Sequence, residues 1–336
     1  MRAPDFWDGR AGANILAGLL VPVGAAVDAA GRLRRAIARP YRAPVPVLCV
    51  GNLVAGGSGK TPVVLSLVAL LAARGVAAHI VMRGYGGRLA GPVRVDPARH
   101  DATAVGDEAL LAAARAPCWV ARDRAAGVRA AVAAGARAIL LDDGFQNPHV
   151  AKDLSLVVVD AAYGFGNCRL IPAGPLRERI SAGLSRADAV VLTDGESPRE
   201  PEGLAQCARP ILRAVLDPVD GVRFSGARIV AFAGIGRPEK FFAALRGLGA
   251  SLVAERAFAD HHPFEPGEMV ALRSAALAES AGLVTTAKDW VRLPPGERDD
   301  IAVLDIELRW RDESAIAALL APLLERIGDG GRAARA

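Results

Sequence analysis

The chain has 336 residues, of which 52% are hydrophobic and 23% charged, so it is neither disordered nor collagen-like, and its length predicts two domains, although one is possible. The 41 Lys and Arg outnumber the 36 Asp and Glu, and the net charge of +5 favours anionic partners such as phosphates or acidic lipid headgroups, although a merely soluble surface fits as well. Aromatic residues make up only 5%, which argues against a nucleic acid partner, and the four scattered cysteines indicate a reducing cytoplasm rather than disulfides or a zinc site.

The N-terminal segment, residues 1–42, combines an apolar stretch with a basic cluster. Residues 11–27 are uncharged, at the lower limit of length for a membrane-spanning helix, and Pro22 interrupts them. Five arginines follow, namely Arg32, Arg34, Arg35, Arg39 and Arg42. The pattern predicts an apolar helix in the membrane interface with its arginines on anionic headgroups at the cytoplasmic face. A helix packed on its own domain is an equally supported alternative.

Residues 43–220 alternate between strand and helix patterns, which predicts a doubly wound α/β domain with a parallel sheet. Strands are predicted at 45–50, 78–82, 118–121, 138–141, 154–160 and 189–193, and helices at 62–74, 107–114 and 123–134.

A turn-rich stretch at 216–228 marks a predicted boundary, and residues 221–336 are predicted to form a second, smaller α/β domain. Its strands are predicted at 229–233, 251–254, 283–286 and 301–306, its helices at 238–248, 266–280 and 313–327, and a disordered tail at 328–336. A cleft between the two domains would have to close around a substrate.

Residues 51–61 read GNLVAGGSGKT and lie between a predicted strand and an apolar helix, which indicates a phosphate-binding loop. Backbone N–H groups at the glycines wrap phosphate oxygens, Lys60 reaches the β and γ phosphates, and the Thr61 hydroxyl binds Mg²⁺. The general pattern has Gly where this chain has Val54, and Ala55 disfavours the ATPases that carry a signature Lys there. The predicted nucleotide-binding residues are Gly56, Gly57, Ser58, Gly59, Lys60 and Thr61.

A second group for the metal follows the predicted strand 138–141, where Asp142 and Asp143 precede a turn at 144–146. One carboxylate is expected to serve Mg²⁺ and the other to orient it or the nucleophile. An Asx turn that closes the strand is the alternative.

Asp107 and Glu108 open a predicted helix, where a carboxylate is either a functional group or a simple N-cap, and spacing alone favours neither. His261 and His262 fall in a loop of the second domain. A histidine that faces a cleft could share a proton with Asp107 and deprotonate an attacking hydroxyl, although surface or core histidines are commoner.

Several motifs occur in one order along nearly the whole chain. They are GNL at 51–53, GGSGKTP at 56–62, RGYG at 83–86, VGDE at 105–108, DDGFQ at 142–146, PAGPLRE at 172–178, DH at 260–261, TT at 285–286 and KD at 288–289. In this combination the chain closely resembles the tetraacyldisaccharide 4'-kinases, the lipid A 4'-kinase family. Val54 resembles that family's usual form, and the N-terminal segment resembles its membrane-associating helix.

The resemblance implies transfer of the γ-phosphoryl group of ATP, with Mg²⁺, to the 4'-hydroxyl of a tetraacylated glucosamine disaccharide 1-phosphate. It implies peripheral association with the cytoplasmic face of the inner membrane of a Gram-negative bacterium. It assigns Asp107 as the catalytic base paired with His261, and Lys60 and Arg177 as the basic groups near phosphate. The further assignments are Thr61, Asp142, Asp143 and Glu108 to the metal, and Gln146 with the phosphate loop to the nucleotide. The chain departs from the family pattern at two positions: Asn147 stands where the family often has His, and His262 adds a second imidazole beside His261.

The alternative function is a P-loop GTPase or ATPase switch that acts through a protein partner at the membrane. It would need a base-specificity motif such as Asn-Lys-x-Asp, of which residues 286–289 are only a partial echo. A peripheral membrane scaffold is a third reading, and it leaves the phosphate loop and the paired aspartates unexplained.

Overall fold

The computed structural model describes residues 4–8, 15–56, 59–193, 201–205 and 207–333. Two predicted phosphate-loop residues, Gly57 and Ser58, lie outside the described residues, as do the first four positions of the predicted apolar stretch and the last three of the predicted tail.

The described chain contains strands in two sheets and helices around them. The strands are β1 (Val47–Gly51), β2 (Ala78–Met82), β3 (Val93–Arg94), β4 (Cys118–Val120), β5 (Ala138–Asp142), β6 (Leu154–Asp160), β7 (Ala189–Thr193), β8 (Ile211–Pro218), β9 (Arg228–Ala233), β10 (Ser251–Ala257), β11 (Gly282–Thr286), β12 (Ile301–Leu304) and β13 (Ile306–Trp310). The α-helices are α1 (Ile15–Ile37), α2 (Lys60–Ala72), α3 (Ala102–Val105), α4 (Asp107–Ala113), α5 (Arg124–Ala133), α6 (Ile180–Leu184), α7 (Pro238–Gly247), α8 (Pro266–Ala278), α9 (Ala287–Trp290) and α10 (Glu313–Ala333).

The large sheet has the strand order β13-β8-β7-β6-β1-β5-β2-β4-β3, with antiparallel strands only at its two edges. Successive side chains of β1 point to opposite faces of the sheet and belong to two hydrophobic cores. Leu48 and Val50 pack on one face, and Val47 and Cys49 pack on the other. The predicted doubly wound α/β fold is therefore confirmed. Because β1 lies between β5 and β6, the carboxyl ends of these three strands form the edge at which such sheets bind ligands.

The small sheet has the order β10-β9-β11-β12, and all its strands are parallel. Helix α7 covers one face through Phe241, Phe242 and Leu245, and α8 covers the other through Met269 and Leu272. This is the predicted second, smaller α/β unit.

The C-terminal part differs from the prediction of one unit over 221–336. The predicted strand 301–306 divides at Asp305 into β12 of the small sheet and β13, which pairs antiparallel with the unpredicted strand β8 of the large sheet. Trp310 donates a hydrogen bond from Nε1 to Ser66 Oγ on α2 at 2.7 Å, and α10 packs on the large sheet through Ile316 and Leu320. The chain therefore returns to the large sheet after β12, and α10 continues through Ala333 into the range predicted as a tail.

Helix α1 packs along one narrow stripe formed by Ala17, Gly24 and Asp28. A Cβ at Gly24 would lie 3.0 Å from Leu170 Cβ, so glycine permits the close approach, and Asp28 forms an ion pair with Arg179 at 3.3 Å. Within the described ranges, α1 alone has the length and apolar composition to cross a membrane. Its exposed apolar side chains are Ile15, Leu16, Leu19, Val21, Val23, Val27, Leu33 and Ile37.

Candidate active site

The phosphate loop connects β1 to α2 at the carboxyl end of the central strand. Gly51 is required there because a Cβ would lie 2.4 Å from Phe145 Cβ. Gly59 has φ 74° at the start of α2, a left-handed conformation that favours glycine. Lys60 and Thr61 then form the first positions of α2, where the helix N-terminus attracts anions.

Val54 replaces the general glycine because the loop is extended at this point. Val54 forms a β-bridge with Leu176, the Ala55 N–H donates to the Pro175 carbonyl at 2.8 Å, and the Arg177 N–H donates to the Leu53 carbonyl at 2.8 Å. The motif at 172–178 thus pairs with the loop and carries Arg177 to it.

The paired aspartates occupy different positions. Asp142 ends β5 and accepts a hydrogen bond from the Thr61 hydroxyl at 3.2 Å. Asp143, with φ 52°, turns its Oδ1 to Arg177 Nη1 at 2.8 Å and to Lys60 Nζ at 3.8 Å. Thr61, Lys60 and both carboxylates, all of them candidate site residues from the sequence, therefore lie together beside the loop.

The carboxylates clustered at this sheet edge favour the binding of a cation. Burial, followed by the charges of Glu108 and Asp143, raises the pKa of Asp142 to about 7 despite Lys60. Burial also opposes ionisation of Asp143, but Lys60 and Arg177 outweigh it and lower its pKa. Among the described residues no group of three or more His, Cys, Asp or Glu side chains is arranged to hold a metal alone. The adjacent Thr61 hydroxyl and Asp142 carboxylate suit Mg²⁺, which takes one or two carboxylates and shares the phosphates of a nucleotide.

Asp107 is the first residue of α4, and Gly106 rather than Asp107 occupies the cap position, with φ 90°. A Cβ at Gly106 would lie 2.4 Å from the Tyr85 carbonyl oxygen, so the turn requires glycine. Asp107 Oδ1 accepts the Glu108 N–H at 2.8 Å, and Oδ2 accepts a hydrogen bond from His261 Nδ1 at 2.9 Å. Asp107 therefore contacts the small unit instead of serving as a simple N-cap.

The two adjacent histidines have different partners. His261, with φ 59°, reaches Asp107, and its ring lies 5.7 Å from that of Tyr85. His262 Nε2 lies 2.8 Å from Glu268 Oε2, and its ring stacks on Phe258 at 4.8 Å. The geometry thus brings His261, not His262, to the carboxylate.

Two cations from the small unit lie beside this pair. Arg292 Nε is 3.0 Å from Asp107 Oδ2, an ion pair without the alignment of a hydrogen bond, and Lys288 Nζ is 2.6 Å from Glu108 Oε1. Burial alone would raise the pKa of Asp107, but the hydrogen bond from His261 and the charges of Lys288 and Arg292 lower it to about 2. The same hydrogen bond raises the pKa of His261. Sequence reasoning gave Lys288 no role and missed Arg292, and the only signal was the motif at 285–289.

Comparison with known proteins identifies the family of the chain. A family model described as tetraacyldisaccharide-1-P 4'-kinase matches residues 16–325. The chain belongs to this kinase family. Proteins named tetraacyldisaccharide 4'-kinase from Rhodospirillum centenum and Dinoroseobacter shibae are each 54% identical, over 99% and 95% of this chain and 100% and 97% of their own lengths. The crystal structure of LpxK from Aquifex aeolicus in complex with ATP is 26% identical, covers 93% of this chain and 99% of that one, and has a TM-score of 0.74.

The family membership predicted from the motifs is confirmed, and the switch and scaffold alternatives lose their basis. Gln146, predicted to bind nucleotide, has other partners in this member of the kinase family. Its Nε2 donates to the Asn52 carbonyl at 2.9 Å and to Glu178 Oε1 at 3.1 Å. Glu178 is fully buried and also pairs with Arg186 at 2.6 Å and with Arg35 of α1 at 3.5 Å. Gln146 therefore supports the backbone of the phosphate loop.

This kinase also has a basic pocket of about 560 Å³ next to the start of α5. Arg124 is 5% exposed and donates to the Ala121 carbonyl at 2.6 Å, and burial together with the charge of Arg83 lowers its pKa to about 10. The other lining residues are Arg39, Pro40, Tyr41, Arg122, Asp123, Ala125, Arg129, Asn147 and His149. A desolvated guanidinium in a basic pocket is suited to an anion.

Proposed function

We propose that this kinase transfers the γ-phosphoryl group of ATP to the 4'-hydroxyl of a tetraacylated disaccharide 1-phosphate. The observation that carries the proposal is the 2.9 Å contact between His261 Nδ1 and Asp107 Oδ2. This contact brings an imidazole of the small unit, which can accept a proton, to the unit that contains the phosphate loop. The charge of Glu108, the neighbour of Asp107, also raises the pKa of Asp142, which supports one site for the Asp107–His261 pair and the nucleotide groups.

The phosphate loop and its neighbours would bind the nucleotide. Lys60 would leave Asp143 for the β and γ phosphates, while Arg177 continues to hold that carboxylate. Thr61, Asp142, Asp143 and Glu108 are the residues proposed to hold Mg²⁺. When bound, Mg²⁺ neutralises charge that develops on the transferred phosphoryl group. The protein then has mainly to position the two substrates and to accept one proton.

His261 rather than Asp107 is the better proton acceptor in this geometry. Oδ1 of Asp107 accepts the Glu108 N–H, and Oδ2 contacts both His261 and Arg292. The pKa of Asp107, about 2, also makes it a weak base. His261 has its Nδ1 proton fixed by Asp107, which leaves Nε2 as the ring nitrogen for a hydroxyl proton. Asp107 would orient the imidazole and stabilise its protonated form. This revises the role that the resemblance gave to Asp107.

A pH profile tests this assignment. Because Asp107 stabilises the protonated imidazole, the neutral form of His261 predominates only at pH values above its raised pKa. We expect kcat/KM to rise with pH through an apparent pKa above the ordinary 6.5 of histidine. In Asp107→Asn the rate should be lower, and the rise of kcat/KM should shift to lower pH. If the rise stays at the same pH in Asp107→Asn, the titrating group is not His261.

The basic pocket is the proposed site for the substrate's own phosphate. Arg124 provides a buried guanidinium and Arg122 and Arg129 add charge at the lining, which suits the 1-phosphate of the disaccharide. The acyl chains would remain in the bilayer, so the pocket has only to accept the polar part of the lipid.

Helix α1 is proposed to hold this site at the cytoplasmic face of the inner membrane as a peripheral element. Its narrow packed stripe leaves most of its apolar side chains exposed, and its last turn contains Arg34 and Arg35. An apolar face beside basic residues binds the interface of an anionic bilayer.

We expect the double substitution Ile15→Glu and Leu19→Glu to weaken binding to anionic lipid vesicles by at least about tenfold, since each buried aliphatic side chain contributes about 1.5–3 kcal/mol. The matched control, Val222→Glu with Leu277→Glu, changes two equally exposed side chains away from α1. Vesicle co-sedimentation measures the difference, and equal binding by both double variants would contradict the proposal.

The activity itself is tested by incubating the full chain with Mg·ATP and a tetraacyl disaccharide 1-phosphate in detergent micelles. A new phosphate monoester at the 4' position, located by NMR or mass spectrometry of the lipid, is the expected product. Hydrolysis of ATP that is independent of the lipid would contradict the proposal and favour a nucleotide switch as the function.

A further inference from the structure

Arg292 occupies an unusual place for an arginine. Its side chain is only 6% exposed, and its Nε lies 3.0 Å from Asp107 Oδ2, the oxygen that also accepts the hydrogen bond from His261. Its Nη1 donates to the Gly234 carbonyl at 2.9 Å and lies 3.2 Å from Asp289 Oδ1. This residue therefore places the positive charge of its guanidinium behind the carboxylate that orients His261.

The motif at 285–289 fixes Arg292. Asp289 is fully buried, its Oδ1 accepts the Gly234 N–H at 2.9 Å, and its Oδ2 accepts the Thr286 hydroxyl at 2.6 Å. Gly234 also joins the two sides of the site, because its carbonyl accepts the backbone N–H of His261 at 3.1 Å as well as Arg292 Nη1. A Cβ at Gly234 would lie only 3.0 Å from the Ala259 carbonyl oxygen, so a larger residue at this junction would be tightly packed.

We infer that Arg292 is a positioning residue that clamps Asp107 from the small unit and thereby fixes the orientation of His261, with Asp289 as its anchor. The inference rests on the proposed role of the Asp107–His261 pair. Both groups that hold Asp107 Oδ2 come from the small unit and share one backbone carbonyl, so they reach the carboxylate as one rigid assembly. A carboxylate held from two directions cannot rotate away from the imidazole, and small errors of position are costly in catalysis.

The first test replaces Arg292 with methionine, which preserves much of its length. We expect kcat to fall about 10- to 100-fold while the KM for ATP stays within about threefold, because the phosphate loop is not touched. Arg292→Lys, which restores a charge, should recover part of the loss. Arg298→Met is the matched control: Arg298 donates to the Leu293 carbonyl at 2.9 Å and lies over the Trp290 ring, so it supports the same segment, and kcat should be unchanged.

A double-mutant cycle separates positioning from a general structural role. If Arg292 acts through Asp107, adding Arg292→Met to Asp107→Asn should lower kcat by no more than about twofold further. Losses that multiply, or a kcat in Arg292→Met equal to that of the unmodified chain, would overturn the inference. Full activity in Asp107→Asn would instead refute the proposed pair. If Arg292→Met does not fold by circular dichroism, Asp289→Asn takes its place in the cycle under the same criteria.

Discussion

Replacement of His261 by glutamine is expected to lower kcat by about 10²- to 10⁴-fold, the usual contribution of a general base. Glutamine can keep a hydrogen bond to Asp107, but it cannot accept a proton from the sugar hydroxyl. The KM for ATP should stay within about threefold because the phosphate loop keeps its contacts. Steady-state kinetics on the lipid substrate in micelles, at saturating ATP, measures both constants.

The neighbouring histidine provides the matched control. His262 Nε2 is held by Glu268 and its ring packs on Phe258, so His262→Gln should alter the stability of the loop more than kcat. A kcat for His261→Gln within about threefold of the unmodified enzyme would remove His261 as the base. A large loss of kcat in His262→Gln alone would transfer that role to it.

The nucleotide half of the site could be predicted from sequence because its signals are local. Residues 51–61 lie between a strand and a helix, and Asp142 ends the neighbouring strand, so the order of elements alone brings them to one sheet edge. Val54 was unexpected in the general pattern because its reason is non-local: it pairs with Leu176, far along the chain. Gln146 shows the same limit, since its partners Asn52 and Glu178 come together only in the fold.

The return of the chain to the large sheet could not be predicted for a related reason. Residues 301–306 have the pattern of a single strand, and that pattern does not reveal that Asp305 separates two sheets. Strand β13 needs β8 as its partner, almost a hundred positions earlier in sequence, and only packing selects that pairing. Arg292 was missed because a single buried arginine carries no periodic signal, and its importance lies in its partners Asp107 and Asp289.

The second large effect is expected from Lys60→Met, which should lower kcat by about 10²- to 10³-fold, the usual cost of losing one preorganised group that stabilises transition-state charge. At about 1.4 kcal/mol for each factor of ten, the loss corresponds to about 3–4 kcal/mol of transition-state stabilisation. Lys60 lies at the first position of α2, and its ammonium group is 3.8 Å from Asp143. The charge that it brings to the β and γ phosphates increases in value as the γ-phosphoryl group leaves. Single-turnover phosphorylation of the lipid measures the chemical step directly.

A structural explanation for the same loss is excluded by the second partner of Asp143. In Lys60→Met that carboxylate still has Arg177 at 2.8 Å, so the nucleotide-free protein should melt within a few degrees of the unmodified chain. Lys60→Arg retains the positive charge on a side chain of different length and shape, so kcat should fall less than in Lys60→Met. A loss that appears wholly as a higher KM for ATP would mean that Lys60 binds the ground state and the transition state equally, which would contradict its proposed role in catalysis.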